Sequence, residues 1–452
     1  MKSRLRARNG DIELVGNLSN LAKCAVQRSL GALNHRRVRR APSPDTNTIR
    51  ILLHQAYGMG GTIRTTLNLA SYLALTRDVE IVSVIRESKK PFFPIPQGVR
   101  ISFLDDRTGR PGLLARLLSR FPSRLVPKQE EAYKEITLWT DLCVLRYLRS
   151  LRGGVLIATR PAYTLTTALF APNEVLTVGQ EHVALQAHEP EMRHLIHRRY
   201  GRFDAFVTLT EADREHYAAF LADDTPDLLA RIPNALSPLP GDISTLREKT
   251  AVSIGRIVPA KGFDRLVTAW KQVAVAYPDW ILRIYGDGDG VPEREQLLRD
   301  QIAAAGLTGK VLLMGASRQI GQELAKASLY VVSSRYEGFG MTILEAMSKG
   351  VPVVSFDCPL GPREIITHEY DGLLVASNKP ADLAAGISRL IADESLRHTL
   401  STNALETVSH YDISTIGAQW DALLADLNSP TVRPSSRRSG SGAVSPGHPR
   451  RR

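Results

Sequence analysis

SSRYEGFGMTILEAMSKGVPVVSFDCPLGPREII, residues Ser333 to Ile366, is the stretch whose reading decides the fold. It follows an apolar run, Leu329-Tyr330-Val331-Val332, and turns through Glu337-Gly338-Phe339-Gly340. A helical pattern begins at Met341 and stops at Gly350, with Pro352 just beyond. A second apolar run, Val351 to Phe356, reads as a strand. Strand, glycine loop, helix and strand make the repeating unit of a parallel α/β sheet. The glycines let backbone approach a ligand closely, and N–H groups of a helix's first turn favour an anion. Glu337 and Glu345, with seven residues between them, flank that place. Carboxylates there can accept hydrogen bonds from hydroxyls on either side of a phosphate, as a ribose and a sugar would offer.

The surrounding sequence repeats the pattern. Val252-Ser253-Ile254 runs into Gly255-Arg256-Ile257-Val258-Pro259-Ala260-Lys261-Gly262, and a helix is predicted from Phe263 to Tyr277. Strands are predicted at Trp280 to Tyr285 and at Val311 to Met314, the latter ending at Gly315. A helix from Pro380 to Asp393 closes the unit, and Ile413 to Leu427 is predicted to dock back on an earlier one. Upstream, Ile232 to Thr245 is rich in Pro, Gly and Ser and reads as a linker. Before it, Ile51 to Leu53 leads into His54-Gln55-Ala56-Tyr57-Gly58-Met59-Gly60-Gly61, a helix from Thr62 to Leu75 and a strand from Val79 to Val84. Three further strands, Val155 to Ala158, Glu174 to Val178 and Ala205 to Leu209, end near Arg160, His182 and Glu211. Ligands of open α/β sheets sit at strand carboxyl ends. The fold class is therefore α/β, with two Rossmann-like domains at residues 49–240 and 250–410 and a returning helix at 411–427. A basic, flexible leader (residues 1–48) and a disordered basic tail (428–452) flank them.

The net charge of +12 lies in those ends. Residues 1–48 hold ten Lys/Arg against three acids, and residues 428–452 hold six Arg and no acid, so the central body is near neutral. That disfavours a nucleic-acid partner, whose footprint belongs on a folded face. Cys24, Cys143 and Cys358 have no paired spacing, which argues against a disulfide framework or zinc site and for a reducing compartment. The leader fits either a basic amphipathic helix resting on anionic lipid or a chain without fixed structure. Leu113, Leu114, Leu117, Leu118 and Phe121, interleaved with Arg116, Arg120 and Arg124, fit either a membrane-facing helix or an arginine face over a buried leucine stripe.

Arg256 and Lys261 share a strand-to-helix loop, and two cations converging on one anion site suit a diphosphate. Asp287-Gly288-Asp289 is explained by a tight turn, and no metal is expected there.

GRIVPAKG, YGDGD, VLLMG, SSRYEGFGMTILEAMSKGVPVVSFD and DGLLV stand in the order of the retaining, family-four type glycosyltransferases of GT-B fold. The resemblance spans Ile49 to Leu427 and is strongest from Ala251 to Val375. Glu337 to Glu345 matches the family's E-x7-E pattern, and FDCPLGPREI resembles the subset acting on cell-envelope polymers and lipid-linked glycans. The resemblance implies that Arg256 and Lys261 hold the donor diphosphate, with Gly60 and Gly61 closing on it. It implies that Glu337 binds the transferred sugar and Glu345 the ribose. Backbone from Phe339 through Gly340 and Met341 to Thr342 would meet sugar and phosphates. Gly315 would line the base, and His182 would face sugar and acceptor. It further implies a nucleotide-sugar co-substrate, UDP-linked in the first instance, with no metal and no separate cofactor. The acceptor would be a glycan, a polyol-phosphate polymer or a lipid-linked glycan. The setting would be cytoplasmic, peripheral on the inner membrane face. A GDP-sugar donor, a nucleotide-sugar epimerase or hydrolase of the same fold, and a silent nucleotide-sugar binder are the alternatives.

Overall fold

The computed structural model describes residues 45–429 apart from Asp289. Most of the basic leader and the basic tail therefore lie outside the described residues. Two wholly parallel sheets form the body. The first has strands β1 (Thr48–Leu53), β2 (Asp78–Arg86), β3 (Val99–Asp106), β4 (Val155–Ala158), β5 (Leu176–Gln180), β6 (Ala205–Thr208) and β7 (Leu228–Arg231), in the order β3-β2-β1-β4-β5-β6-β7. The second has β8 (Thr250–Ile254), β9 (Ile281–Tyr285), β10 (Val311–Gly315), β11 (Leu329–Val332), β12 (Val353–Phe356) and β13 (Gly372–Val375), in the order β10-β9-β8-β11-β12-β13. Central strands such as β4, β6, β11 and β12 are buried along their whole length, as strands covered by helices on both faces must be.

Each sheet reverses its strand order once, between β1 and β4 and between β8 and β11. These are the switch points at which the loops on either side splay apart and leave a crevice. The loop Gly255–Gly262 leaves β8, and the loop Ser333–Gly340 leaves β11. Both therefore open into one crevice, which explains why residues 76 positions apart meet.

The helix Ile413–Leu427 belongs to the core of the first sheet, where Trp420, Leu424 and Leu427 pack with Leu69 and Leu73. Its Gly417 lies flat against the Tyr72 ring; a methyl group there would come within 2.4 Å of it. Asp421 accepts from the Tyr72 hydroxyl at 2.8 Å and from Arg77 at 2.5 Å.

Some elements differ from the sequence reading. Strands β3 and β7 and the helix Glu394–Ser409 are additional. β3 alternates apolar and polar residues from Val99 to Phe103 but is mostly half-buried at the edge of its sheet. β7 is half-buried throughout and packs by main-chain pairing to β6. Of the leucine–arginine segment only Leu113–Leu118 is helical, and its stripe is not buried. Leu113 is 89% exposed and Leu114, Leu117 and Phe121 about half, so the reading of arginines over a buried leucine stripe is wrong. Only Ala115 of this helix is buried. The chain beyond it is pinned instead by Asp141, which accepts from the Ser123 hydroxyl and from the Arg124 and Leu125 N–H groups.

Candidate active site

Tight backbone stacking brings the two loops of the second sheet together. Gly262 has φ +63°, and a methyl group on it would sit 2.2 Å from the Ser333 carbonyl oxygen. Only glycine satisfies both the left-handed conformation and the close approach. Gly286 similarly lies against the Gly255 carbonyl, where a methyl group would be 1.8 Å away.

On this platform Lys261 Nζ donates to both Glu337 oxygens, at 2.6 and 2.8 Å, and the Ser334 hydroxyl donates to the first at 2.6 Å. Glu337 is buried and Lys261 half-buried, so the pair is a charge-assisted contact largely out of water. Arg256 is exposed at the start of the same loop. Gly340, at φ +102°, precedes the short helix Met341–Met347 and gives it no side-chain cap. Phe339 is buried against Tyr411, while Met341 and Thr342 are half-buried at the helix start. Glu345, one turn on, is buried, and burial raises its pKa while the Arg64 charge opposes the rise. Gly315 ends the edge strand β10, three strands from β11, and its carbonyl accepts from the Gly286 N–H at 2.9 Å. It thus joins the row of loop ends, two strands removed from the loop that carries Lys261.

The first sheet supplies the opposite wall. A methyl group on Gly338 would be 2.8 Å from the His182 carbonyl, and the Tyr336 hydroxyl accepts from the Ala184 N–H at 3.0 Å. His182 therefore abuts the glutamate loop across the cleft. Desolvation lowers its pKa to about 4, so its imidazole is neutral near pH 7, and its Nε2 is buried without a hydrogen-bond partner. Gly60 and Gly61 open the helix Gly61–Leu73, whose Arg64 reaches Glu345 with Nη1 2.6 Å from Oε1. At the β1/β4 switch point, His54 lies 2.5 Å from the Tyr163 hydroxyl and 2.9 Å from Glu135.

Arg160 and Glu211, though at strand ends, serve other purposes. Arg160 is tied to Glu130 at 2.8 Å. The Glu211 N–H donates to Glu364, which also pairs with Arg231 at 2.7 Å and links the two halves. Arg64, Tyr336 and Gly338 were not singled out in the sequence. Arg64 had a local signal, a cation in the first turn of a helix that has no acid there.

Residues 243–407 match the family model for glycosyl transferases group 1. The chain is 37% identical over 391 residues to an exopolysaccharide phosphotransferase of Streptomyces coelicolor, covering 84% of this chain but 41% of that protein. It is 25% identical over 384 residues to the amylovoran biosynthesis glycosyltransferase AmsD of Erwinia amylovora, covering 83% of this chain and 98% of AmsD. Among solved structures, a TarM mutant from S. aureus superposes with a TM-score of 0.67 at 17% identity, over 84% of this chain and 100% of that one. That structure contains Fondaparinux, α-GlcNAc-glycerol and UDP. Residues 243–407 and the sheet before them thus adopt a GT-B fold.

Proposed function

We propose that the chain transfers a sugar from a nucleotide-sugar donor, UDP-linked, to a cell-envelope polymer, glycolipid or other glycan, retaining anomeric configuration and using no catalytic metal. One observation carries this reading: Lys261 Nζ engages both oxygens of Glu337 at the β8/β11 switch point, Glu345 is buried in the helix that follows, and the His182 carbonyl lies against Gly338. Charge develops on the departing diphosphate, and Arg256 and Lys261 are fixed cations on the loop where it would appear. Metal independence rests on those two cations supplying the neutralisation. Glu337, held by Lys261 and Ser334, is set to accept from hydroxyls of the transferred sugar. Glu345 does the same for the ribose. A neutral His182 meets sugar or acceptor hydroxyls without adding charge. UDP and retention draw support from TarM, seen with UDP and an α-glycoside.

The acceptor enters from the first domain, and the exposed Leu113, Leu114, Leu117 and Phe121 beside Arg116, Arg120 and Arg124 rest that domain on an anionic cytoplasmic leaflet. No described helix is long and apolar enough to cross a membrane. A thermal-shift panel of UDP- and GDP-sugars tests the donor: a rise confined to a UDP-sugar supports the reading. No shift with any nucleotide sugar contradicts it.

A further inference from the structure

Arg231–Glu364 and Arg64–Glu345 are ion pairs that cross between the domains, and they differ in kind. Arg231–Glu364 joins the end of β7 to the helix Gly361–Ile365, where Glu364 also takes the Glu211 N–H, and reads as an anchor. Arg64–Glu345 lies inside the cleft, beside the Gly60-Gly61 turn. Arg64 occupies the first turn of the helix Gly61–Leu73, where the helix dipole disfavours a cation. No acidic residue of that turn offsets it. Its guanidinium is spent instead on Glu345, a carboxylate whose side chain is 9% exposed. A buried carboxylate without a cation takes up a proton and ceases to be a pure acceptor. Arg64 Nη1 engages Oε1 and leaves the second oxygen for another donor. Tyr330, on β11 beneath the site, also lies close to Glu345, whereas Lys349, one turn along, is directed away to the Leu239 and Gly241 carbonyls.

We propose that Arg64 is a positioning residue for the nucleotide: it keeps Glu345 ionised and aimed, so that the ribose hydroxyls meet a preset acceptor only when the two domains are in register. This rests on the nucleotide-sugar reading above. It makes the glycine turn of the first domain part of nucleotide recognition through a side chain as well as through backbone. Because Arg64 acts through Glu345, removing it should matter only while Glu345 is present.

The test is calorimetric titration of UDP into the full chain as wild type, Arg64→Lys, Arg64→Gln, Glu345→Gln and the Arg64→Gln/Glu345→Gln double variant, with thermal unfolding of each as a check on folding. The expected result is a loss of about tenfold in UDP affinity for Arg64→Gln, the scale of one charge-assisted contact. Arg64→Lys should recover part of it, and the double variant should bind no more weakly than Glu345→Gln. Wild-type affinity in Arg64→Gln overturns the proposal. So does a loss in the double variant equal to the two single losses combined, which would mean that Arg64 touches the diphosphate itself. Failure of the wild type to bind either UDP or GDP would overturn the nucleotide reading and this proposal together. Normal wild-type binding with an indifferent Arg64→Gln overturns this one alone.

Discussion

Lys261 Nζ sits 2.6 and 2.8 Å from the two carboxylate oxygens of Glu337, two residues brought together by the strand-order reversal between β8 and β11. The contact fixes both partners. It holds the lysine against the glutamate loop and leaves Glu337 a stationary acceptor.

Loss of either cation should therefore be a loss of chemistry more than of fold. Arg256→Ala, at an exposed position, should lower kcat/KM for the donor by about 10²–10³-fold, the scale of one transition-state charge contact, with Tm little changed. Lys261→Ala should lose as much activity and also some stability, because it leaves Glu337 buried without its cation. Steady-state kinetics with melting curves checks both.

Gly262 should tolerate no side chain. Gly262→Ala places a methyl group against the Ser333 carbonyl in a left-handed backbone, so the two loops must separate. The expected outcome is a lowered Tm and a collapse of donor binding together. Gly61→Ala, with open space around the added methyl, should change Tm far less.

Next to His182, Glu181 is buried with the Tyr200 hydroxyl donating to it at 2.6 Å and His188 3.9 Å from its other oxygen. Desolvation, reinforced by the nearby Glu130 and Asp213 and opposed by Tyr200 and Arg160, raises its pKa from 4.5 to about 8. Between those values the folded state holds a proton that the unfolded chain releases, so this group's contribution to stability falls as pH rises, at about 1.4 kcal/mol per pH unit. His188, lowered to about 4 by desolvation, acts in the opposite sense between its folded value and the ordinary 6.5. Comparing Glu181→Gln with wild type isolates the first effect. The variant's Tm relative to wild type should climb from pH 5 to about pH 8, and a pH-independent difference would count against a buried proton at this position.

The exposed leucines give a membrane prediction. Wild-type protein should float with anionic vesicles at low salt, each nearby Arg contributing ~1 kcal/mol. Leu113→Ser with Leu117→Ser should weaken flotation while leaving Tm nearly unchanged, because both side chains already face solvent. Equal flotation of variant and wild type would remove this segment from the membrane account.

The α/β class and both glycine loops could be read from sequence because their signals are local. Apolar strands end in Gly-rich turns, and Arg256, Lys261, Glu337 and Glu345 all fall within two such turns and the helix that follows. What joins distant segments left little trace. Arg64 reads as an ordinary helical arginine until the first domain is laid against Glu345, 281 residues on. Gly338 reads as one more loop glycine until the His182 carbonyl is placed against it. The leucines at 113–121 read as a possible core stripe because periodicity does not say which face is covered. Here the leucines stay exposed, and the chain just beyond them is held by Asp141.

The central claim is transfer of a sugar from a nucleotide to an acceptor, and nucleotide release measured with and without acceptor tests it most directly. With the best UDP-sugar from the thermal-shift panel and a cell-envelope glycan fraction, release should rise severalfold on adding acceptor. Labelled sugar should appear in the glycan, and Arg256→Ala should lower both by about 10²–10³-fold. Stoichiometric release without acceptor, or an altered sugar still attached to its nucleotide, would instead make the chain a hydrolase or epimerase and contradict the account.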